Sequence, residues 1–139
     1  MKVHVVSSLV VLVPLALAVP QLLPMFPRRG GFYETCLRFW LKEARRNLLE
    51  ADCHNDTGKM VRSTLDLNQC LAFRKGLLKG APYGEFSEHC DKTSCTLKST
   101  SYQCKCNIGH KAWRVSAVDL NEVVSNKNGF LLCYGLEGD

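Results

Sequence analysis

Ser63-Thr64-Leu65-Asp66-Leu67-Asn68 decides the reading of this chain, because it returns as Ser116-Ala117-Val118-Asp119-Leu120-Asn121. Landmarks on both sides of the box return with it. Upstream, Phe32-x-x-x-Cys36 and Cys53 are matched by Phe86-x-x-x-Cys90 and Cys106; downstream, Gly76-Leu77-Leu78 is matched by Gly129-Phe130-Leu131. Equivalent residues stand 54 apart up to the first cysteine and 53 apart afterwards, so one deletion between the cysteines aligns both halves. Chance does not hold register over such a length. The chain carries a duplicated unit, repeat one over residues 32–79 and repeat two over 86–133, which forms either a pair of small domains or one pseudo-symmetric domain.

The same landmarks, F-x-x-x-C, C, S-x-x-D-L-N and N-x-x-G-x-L, follow one another in this order in the cyanovirin-N homology family. The chain resembles a secreted, fungal-type member of that family over roughly Phe32 to Cys133. The resemblance implies an all-β, cyanovirin-N-like fold: a pseudo-symmetric domain over residues 30–135 with a tail at 136–139, stapled by disulfides, with short helical turns and with hairpins exchanged between the two repeats. It also implies a lectin without catalysis.

The ends of the chain agree with secretion. Residues 1–18 hold Lys2, an uncharged apolar run from Leu9 to Ala18, and the small-x-small ending Ala16-Leu17-Ala18, which together read as a signal peptide cut near Ala18. Ser7, Ser8 and Pro14 interrupt the run, and it falls short of the ~20 apolar residues that span a bilayer. No membrane insertion is expected after cleavage, and the mature protein is expected outside the cell. Residues 19–29 are proline-rich and end in Pro27-Arg28-Arg29, read either as a propeptide processing site or as a plain flexible leader. The formal charge of +5 drops to +4 without Lys2 and to +2 without Arg28 and Arg29 as well. A nucleic-acid partner would want a concentrated basic face. The densest cluster, Lys42 to Arg46, also carries Glu43, so none is expected.

Eight cysteines behind a signal peptide mean disulfides rather than thiols. They allow about a hundred pairings, and sequence alone does not choose among them. The repeat narrows the choice: Cys36 with Cys53 and Cys90 with Cys106 respect the symmetry, and the resemblance implies the same two pairs. Cys95 and Cys104 flank a hairpin with Ser99-Thr100 at its tip, a geometry that permits a cross-strand bridge. Cys70 and Cys133 are then left to each other. The rival reading is a zinc site at Cys90-x4-Cys95 and Cys104-x-Cys106, but these spacings are unlike the usual knuckles; no metal and no cofactor is expected.

Local patterning suggests a strand entered through Phe32 or Phe86, a disulfide-closed hairpin, and a third strand before each D-L-N box. Asp119 looks like the N-cap of a short helical turn. Asn128-Gly129 is a tight-turn signal. Leu41 to Ala51 is helical by propensity and by apolar residues at 41, 44, 48 and 51, whereas the family has a β-hairpin turning near Ala44 to Asn47. The hairpin is preferred, because repeat two has no helical counterpart. Trp113 reads as core, and Trp40 either as core or as a sugar platform.

No catalytic set emerges. His54, His89 and His110 have no free nucleophile to partner, and carboxylate pairs such as Glu34 with Asp56 or Glu85 with Glu88 lack the burial that separates paired pKa values. Carried over from the family, a first carbohydrate site falls on Gly31, Glu34, Thr35, His54, Asn55, Asp56, Asn126 and Asn128. These are the carboxylates, amides and hydroxyls that match sugar hydroxyls. A weaker second site falls on Glu85, Glu88, His89 and Asn107, with Ala72 and Phe73 where the family has polar residues. Asn55-Asp56-Thr57 is also a glycosylation sequon. The expected partner is an oligomannose-type or related glycan, bound by a monomer or a domain-swapped dimer hinged near Gly80-Ala81-Pro82. The alternative is a secreted interaction protein of the same fold that has lost sugar binding and uses the face around Arg38 to Arg46.

Overall fold

The computed structural model describes residues 29–139 together with Val3, Val5, Val10 and Val11. Most of the signal peptide and nearly all of the leader read from the sequence lie outside the described residues. Repeat one supplies β1 (Cys36–Lys42), β2 (Arg45–His54) and β3 (Met60–Asp66), an antiparallel sheet in that order, and then the hairpin β4 (Leu71–Arg74) and β5 (Leu77–Gly80). Repeat two follows the same plan with β6 (Cys90–Lys98), β7 (Ser101–Gly109) and β8 (Ala112–Asp119), and then β9 (Ser125–Lys127) and β10 (Phe130–Cys133). The fold is all-β, as expected. A last strand, β11 (Leu136–Glu137), pairs with β10, and Asp139 exchanges backbone hydrogen bonds with Thr64, so residues 136–139 are held against repeat one.

Each residue of the repeated box has a separate task. Ser63 Oγ accepts the Leu131 N–H at 3.0 Å, and Ser116 Oγ accepts the Leu78 N–H at 2.8 Å. The two serines thereby dock the hairpin of the opposite repeat, which is the exchange the sequence implies. Asp66 and Asp119 cap 3-10 turns (Leu67–Gln69 and Leu120–Glu122) by accepting from Asn68 and Asn121 backbone N–H at 3.0 and 2.9 Å. Leu67 and Leu120 are fully buried. Asn68 Oδ1 accepts from Ser87 N–H and Asn121 Oδ1 from Tyr33 N–H, tying each box to the entry turn of the other repeat. Neither repeat is complete without its partner. This is one pseudo-symmetric unit rather than two small domains.

Phe32 and Phe86 do not open strands. Each starts a 3-10 turn, Phe32–Glu34 and Phe86–Glu88, whose phenyl ring is driven fully into the core while the backbone turns back on itself. The locally helical stretch 41–51 is indeed a hairpin, but its turn is Glu43-Ala44 and does not reach Asn47. Asn47 is buried and its Nδ2 donates to Asp66 Oδ1 at 2.9 Å, which holds Arg45–Asn47 in the strand. Asn128 and Gly129 both have positive φ, 51° and 91°, and make the expected tight turn between β9 and β10.

All four disulfides pair as the symmetry and the elimination suggest: Cys36–Cys53, Cys90–Cys106, Cys95–Cys104 and Cys70–Cys133. Their sulfurs sit in one core with Leu49, Leu65, Leu71, Tyr102 and Leu131. Burial pushes the Tyr102 phenol well above its ordinary pKa, and its hydroxyl donates to the Arg46 carbonyl at 2.8 Å, so the hairpin of repeat two is pinned to β2.

Trp113 is not core. Side chains alternate along β8, and buried Ser116 fixes the inward parity, so Trp113 and Val115 point outward and are each 55% exposed. Trp40 is half-buried, with its indole N–H on Glu50 at 2.9 Å and Arg62 over its ring at 5.0 Å.

The outer face of β1–β3 is a network of charges. Asp52, with its side chain only 8% exposed, accepts from Arg62 Nε at 2.8 Å and from Arg38 Nη2 at 2.8 Å. Hydrogen bonding from Arg62, helped by both positive charges, holds its carboxyl below the usual carboxylate range against the opposing effect of burial. A depressed folded pKa means that the unfolded chain takes up the proton first. The contribution to stability is complete above the unfolded value of about 4 and is lost as pH falls through the lower, folded one. Thermal melts between pH 5 and pH 2 should therefore show an acid loss that Asp52→Asn flattens; a parallel acid profile in the variant would show that another carboxylate is responsible.

Candidate functional site

The residues carried over for the first site come from three segments far apart in sequence. The entry turn of repeat one brings Glu34 and Thr35, the β2–β3 connection brings His54 to Asp56, and the β9–β10 hairpin, exchanged from repeat two, brings Asn126 and Asn128. They meet. Asn126 Nδ2 donates to Thr35 Oγ1 at 3.0 Å and to the His54 carbonyl at 2.8 Å, while its Oδ1 accepts the Gly129 N–H at 2.9 Å. His54 N–H donates to the Thr35 carbonyl at 2.9 Å, and Asn128 Oδ1 accepts the Asp56 N–H at 3.0 Å.

One carboxamide thus locks all three segments. The β2–β3 connection is preorganised in its own right: Asn55 Oδ1 accepts from Thr57 N–H, Thr57 Oγ1 and Lys59 N–H, and His54 Nδ1 lies 3.2 Å from the Gly58 carbonyl. Beside this lock is a shallow hollow of about 290 Å³, walled by Glu34, Thr35, Asn126, Lys127 and Ser125 with Gly30 and Gly31 at its rim. A Cβ on Gly31 would meet nothing within 4 Å, so glycine leaves that side open. His54, Asn55, Asp56 and Asn128 border the lock but do not line the hollow. Ser125 and Lys127 line it too: the sequence does not single out Ser125, and Lys127 enters only as the middle of the carried-over turn Asn126 to Asn128. Their only signal was position, flanking Asn126 on a three-residue strand. Among the described residues no group of three or more His, Cys, Asp or Glu is placed to hold a metal.

Repeat two carries the same backbone with different chemistry. Asn107 N–H donates to the His89 carbonyl at 2.8 Å, as His54 does to Thr35. At the position of Asn126, however, stands Phe73, buried and packed on the His89 ring at 6.4 Å between centroids. Glu85 takes the position of Gly31, in the left-handed region at φ 50°. The amide lock and the open glycine rim are both gone. Glu85, Glu88, His89 and Asn107 are all exposed, and buried Phe73 packs against His89.

Comparison with known proteins agrees with the box, the exchange and the disulfide-closed hairpins. The CVNH domain family model matches residues 32–132. The chain belongs to the CVNH domain family. Among solved structures, the CVNH protein of Gibberella zeae is similar at a TM-score of 0.62 and 24% identity, covering 75% of this chain and 97% of that one. Microvirin, solved as a mannobiose complex, gives 0.62 and 21%, covering 75% and 98%. A MoCVNH3 variant in complex with (N-GlcNAc)4 gives 0.64 and 16%, covering 75% and 97%. No curated protein matches the chain. At these identities the structural likeness speaks for the fold, and the CVNH domain's own residues must carry the chemistry.

Proposed function

We propose that this CVNH chain is a secreted lectin that binds mannose-type glycans, without catalysis, at the site locked by Asn126. The observation that carries the reading is the junction itself: Asn126 holds Thr35, His54 and the final turn in fixed register beside an open hollow that sets the polar groups of Glu34, Thr35, Ser125 and Asn126 around an apolar floor with Leu132. A sugar ring is recognised by donors and acceptors fixed at close spacing, and groups already ordered lose little entropy on binding. That neighbours of the same fold were solved with mannobiose and with (N-GlcNAc)4 supports a glycan as the ligand. Secretion fits the family and the apolar N-terminal run, and oxidised cysteines suit an extracellular protein.

The face around Arg38 to Arg46 is less suited to a protein partner than its composition suggests. Arg38 is paired with Asp52, Lys42 lies 3.8 Å from Glu50, and Arg46 donates to the Cys95 carbonyl. Arg38 and Lys42 thus have carboxylate partners within the molecule, and Arg46 is held to the other repeat.

A single shallow site implies weak affinity, on the order of 10 µM to 1 mM. Titrating the oxidised, isotope-labelled protein with Manα1-2Man should shift the amide signals of Glu34, Thr35, Ser125 and Asn126. Unmoved signals at those residues across a panel of mannose disaccharides would refute the site.

A further inference from the structure

The outer faces of the two three-stranded sheets are built from equivalent positions, yet only one of them is closed. On β1–β3, Asp52 pairs with both Arg62 and Arg38, Arg62 covers Trp40, and Trp40 and Thr64 both bond to Glu50. On β6–β8 the counterparts of Arg62, Asp52 and Met60 are Val115, Lys105 and Trp113. Lys105 stands opposite Val115, and Asn107 stands opposite Trp113. His89, whose carbonyl accepts the Asn107 N–H, continues the row on the far side. The Trp113 indole N–H and the Asn107 Nδ2 make no hydrogen bond among the described residues, while Asn107 Oδ1 is fixed by the Gly109 N–H at 2.8 Å. Exposed His89, Asn107 and Trp113 therefore lie side by side across three adjacent elements, with His89 backed by Phe73.

We infer that this row is a second carbohydrate platform, chemically unlike the first, which takes β-linked oligosaccharides of gluco configuration. An indole face stacks on the C–H bonds of a pyranose, whose partial positive charge matches the negative π-face. Rings with every substituent equatorial present flat C–H faces on both sides; the axial hydroxyl of mannose breaks one of them. Neighbouring strands lie about 4.8 Å apart, so the row from His89 to Trp113 is roughly 10 Å long, room for more than one ring. Two free donors, Asn107 Nδ2 and the indole N–H, suit the hydroxyl and acetamido oxygens of such a chain. The platform is neutral at Asn107 and Trp113, the neighbouring Lys105 stands opposite Asp91 on β6, and exposed Glu85 and Glu88 precede His89, which favours an uncharged ligand over an anionic one. It keeps only His89 and Asn107 from the pseudo-symmetric copy of the first site: Phe73 and Glu85 stand there in place of Asn126 and Gly31, and Trp113, which makes the platform, corresponds to Met60, which has no part in the Asn126 junction.

The test is a titration of the oxidised protein with chitotriose, cellotriose and Manα1-2Man in parallel, following the two tryptophan indole N–H signals and the Asn107 side-chain amide by NMR. Sedimentation is run on the same samples. One or both gluco-configured trisaccharides should move the Trp113 and Asn107 signals and leave Trp40 still; Manα1-2Man should not move them. Trp113→Thr should weaken trisaccharide binding about tenfold or more while Trp113→Tyr keeps most of it, with both variants retaining the parent melting temperature because the side chain is exposed. Unmoved Trp113 signals with both trisaccharides, equal shifts with Manα1-2Man, or a dimer that Trp113→Thr dissolves would each overturn the proposal. Binding at Asn126 is read from different signals, so failure of either site is separately visible.

Discussion

Replacing both Cys70 and Cys133 by alanine should lower the unfolding free energy by about 4 kcal/mol, more than removal of any other bridge. The bond spans 63 residues, whereas the hairpin bridges span 17, 16 and 9. In the loop-entropy picture the long closure is worth about 4 kcal/mol and the shorter ones roughly 2.5 to 3 kcal/mol. Position adds to length. Cys70 follows the capped turn of repeat one and Cys133 ends the exchanged hairpin of repeat two, and both are fully buried. The bridge therefore fastens the two repeats to each other, while each hairpin bridge fastens only what strand pairing already holds. Urea unfolding of the double variant, set against the Cys95→Ala/Cys104→Ala variant, measures the difference. An equal or smaller loss for the long bridge would mean that Ser63, Ser116 and the apolar core alone hold the exchange.

Asn126→Asp should abolish measurable binding at the first site and cost about 2 kcal/mol of stability, at about 1 kcal/mol for each of the two hydrogen bonds that the amide nitrogen donates. The change is nearly isosteric, so it isolates chemistry from shape. The amide nitrogen that donates to Thr35 Oγ1 and the His54 carbonyl becomes an oxygen, which sets a negative charge against a carbonyl dipole while the Gly129 N–H still has its acceptor. The Thr35 hydroxyl can turn and donate to the new carboxylate, but the His54 connection should part from the final turn and the hollow lose its fixed wall. Titration with Manα1-2Man, beside a thermal melt, would show it. Parental affinity in the variant would mean that the junction is turn architecture and that the ligand sits elsewhere.

The hairpin over 41–51 shows how local and global signals can conflict. Its residues favour a helix by propensity and spacing, yet Cys36 must reach Cys53 and Asn47 must reach Asp66, and these long-range bonds prevail over a preference of a few tenths of a kcal/mol per residue. Trp113 was misread for a related reason. Large aromatics in small β domains are usually inward, but inward or outward on a strand is set by parity, and parity is fixed by Ser116, whose hydroxyl receives the hairpin of the other repeat. The entry turns at Phe32 and Phe86 were missed as turns because a buried phenylalanine before a cysteine reads equally well as the start of a strand.

The sequence by itself determined the duplication, the family and the cap at the second D-L-N box, and the repeat narrowed the cysteine pairs to the set the structure shows. All of these follow from residue identity at fixed spacing, which a linear chain displays directly. It also named most of the first site, through resemblance. Only the tertiary structure decided that Asn126 is the lock, that Phe73 is buried against His89 at the equivalent place, and that one sheet face is sealed by charge while the other leaves Trp113 bare. Each of those outcomes depends on which side chains meet across exchanged hairpins and neighbouring strands. Those meetings are set by packing and strand register, to which the spacing of residues along one chain is blind.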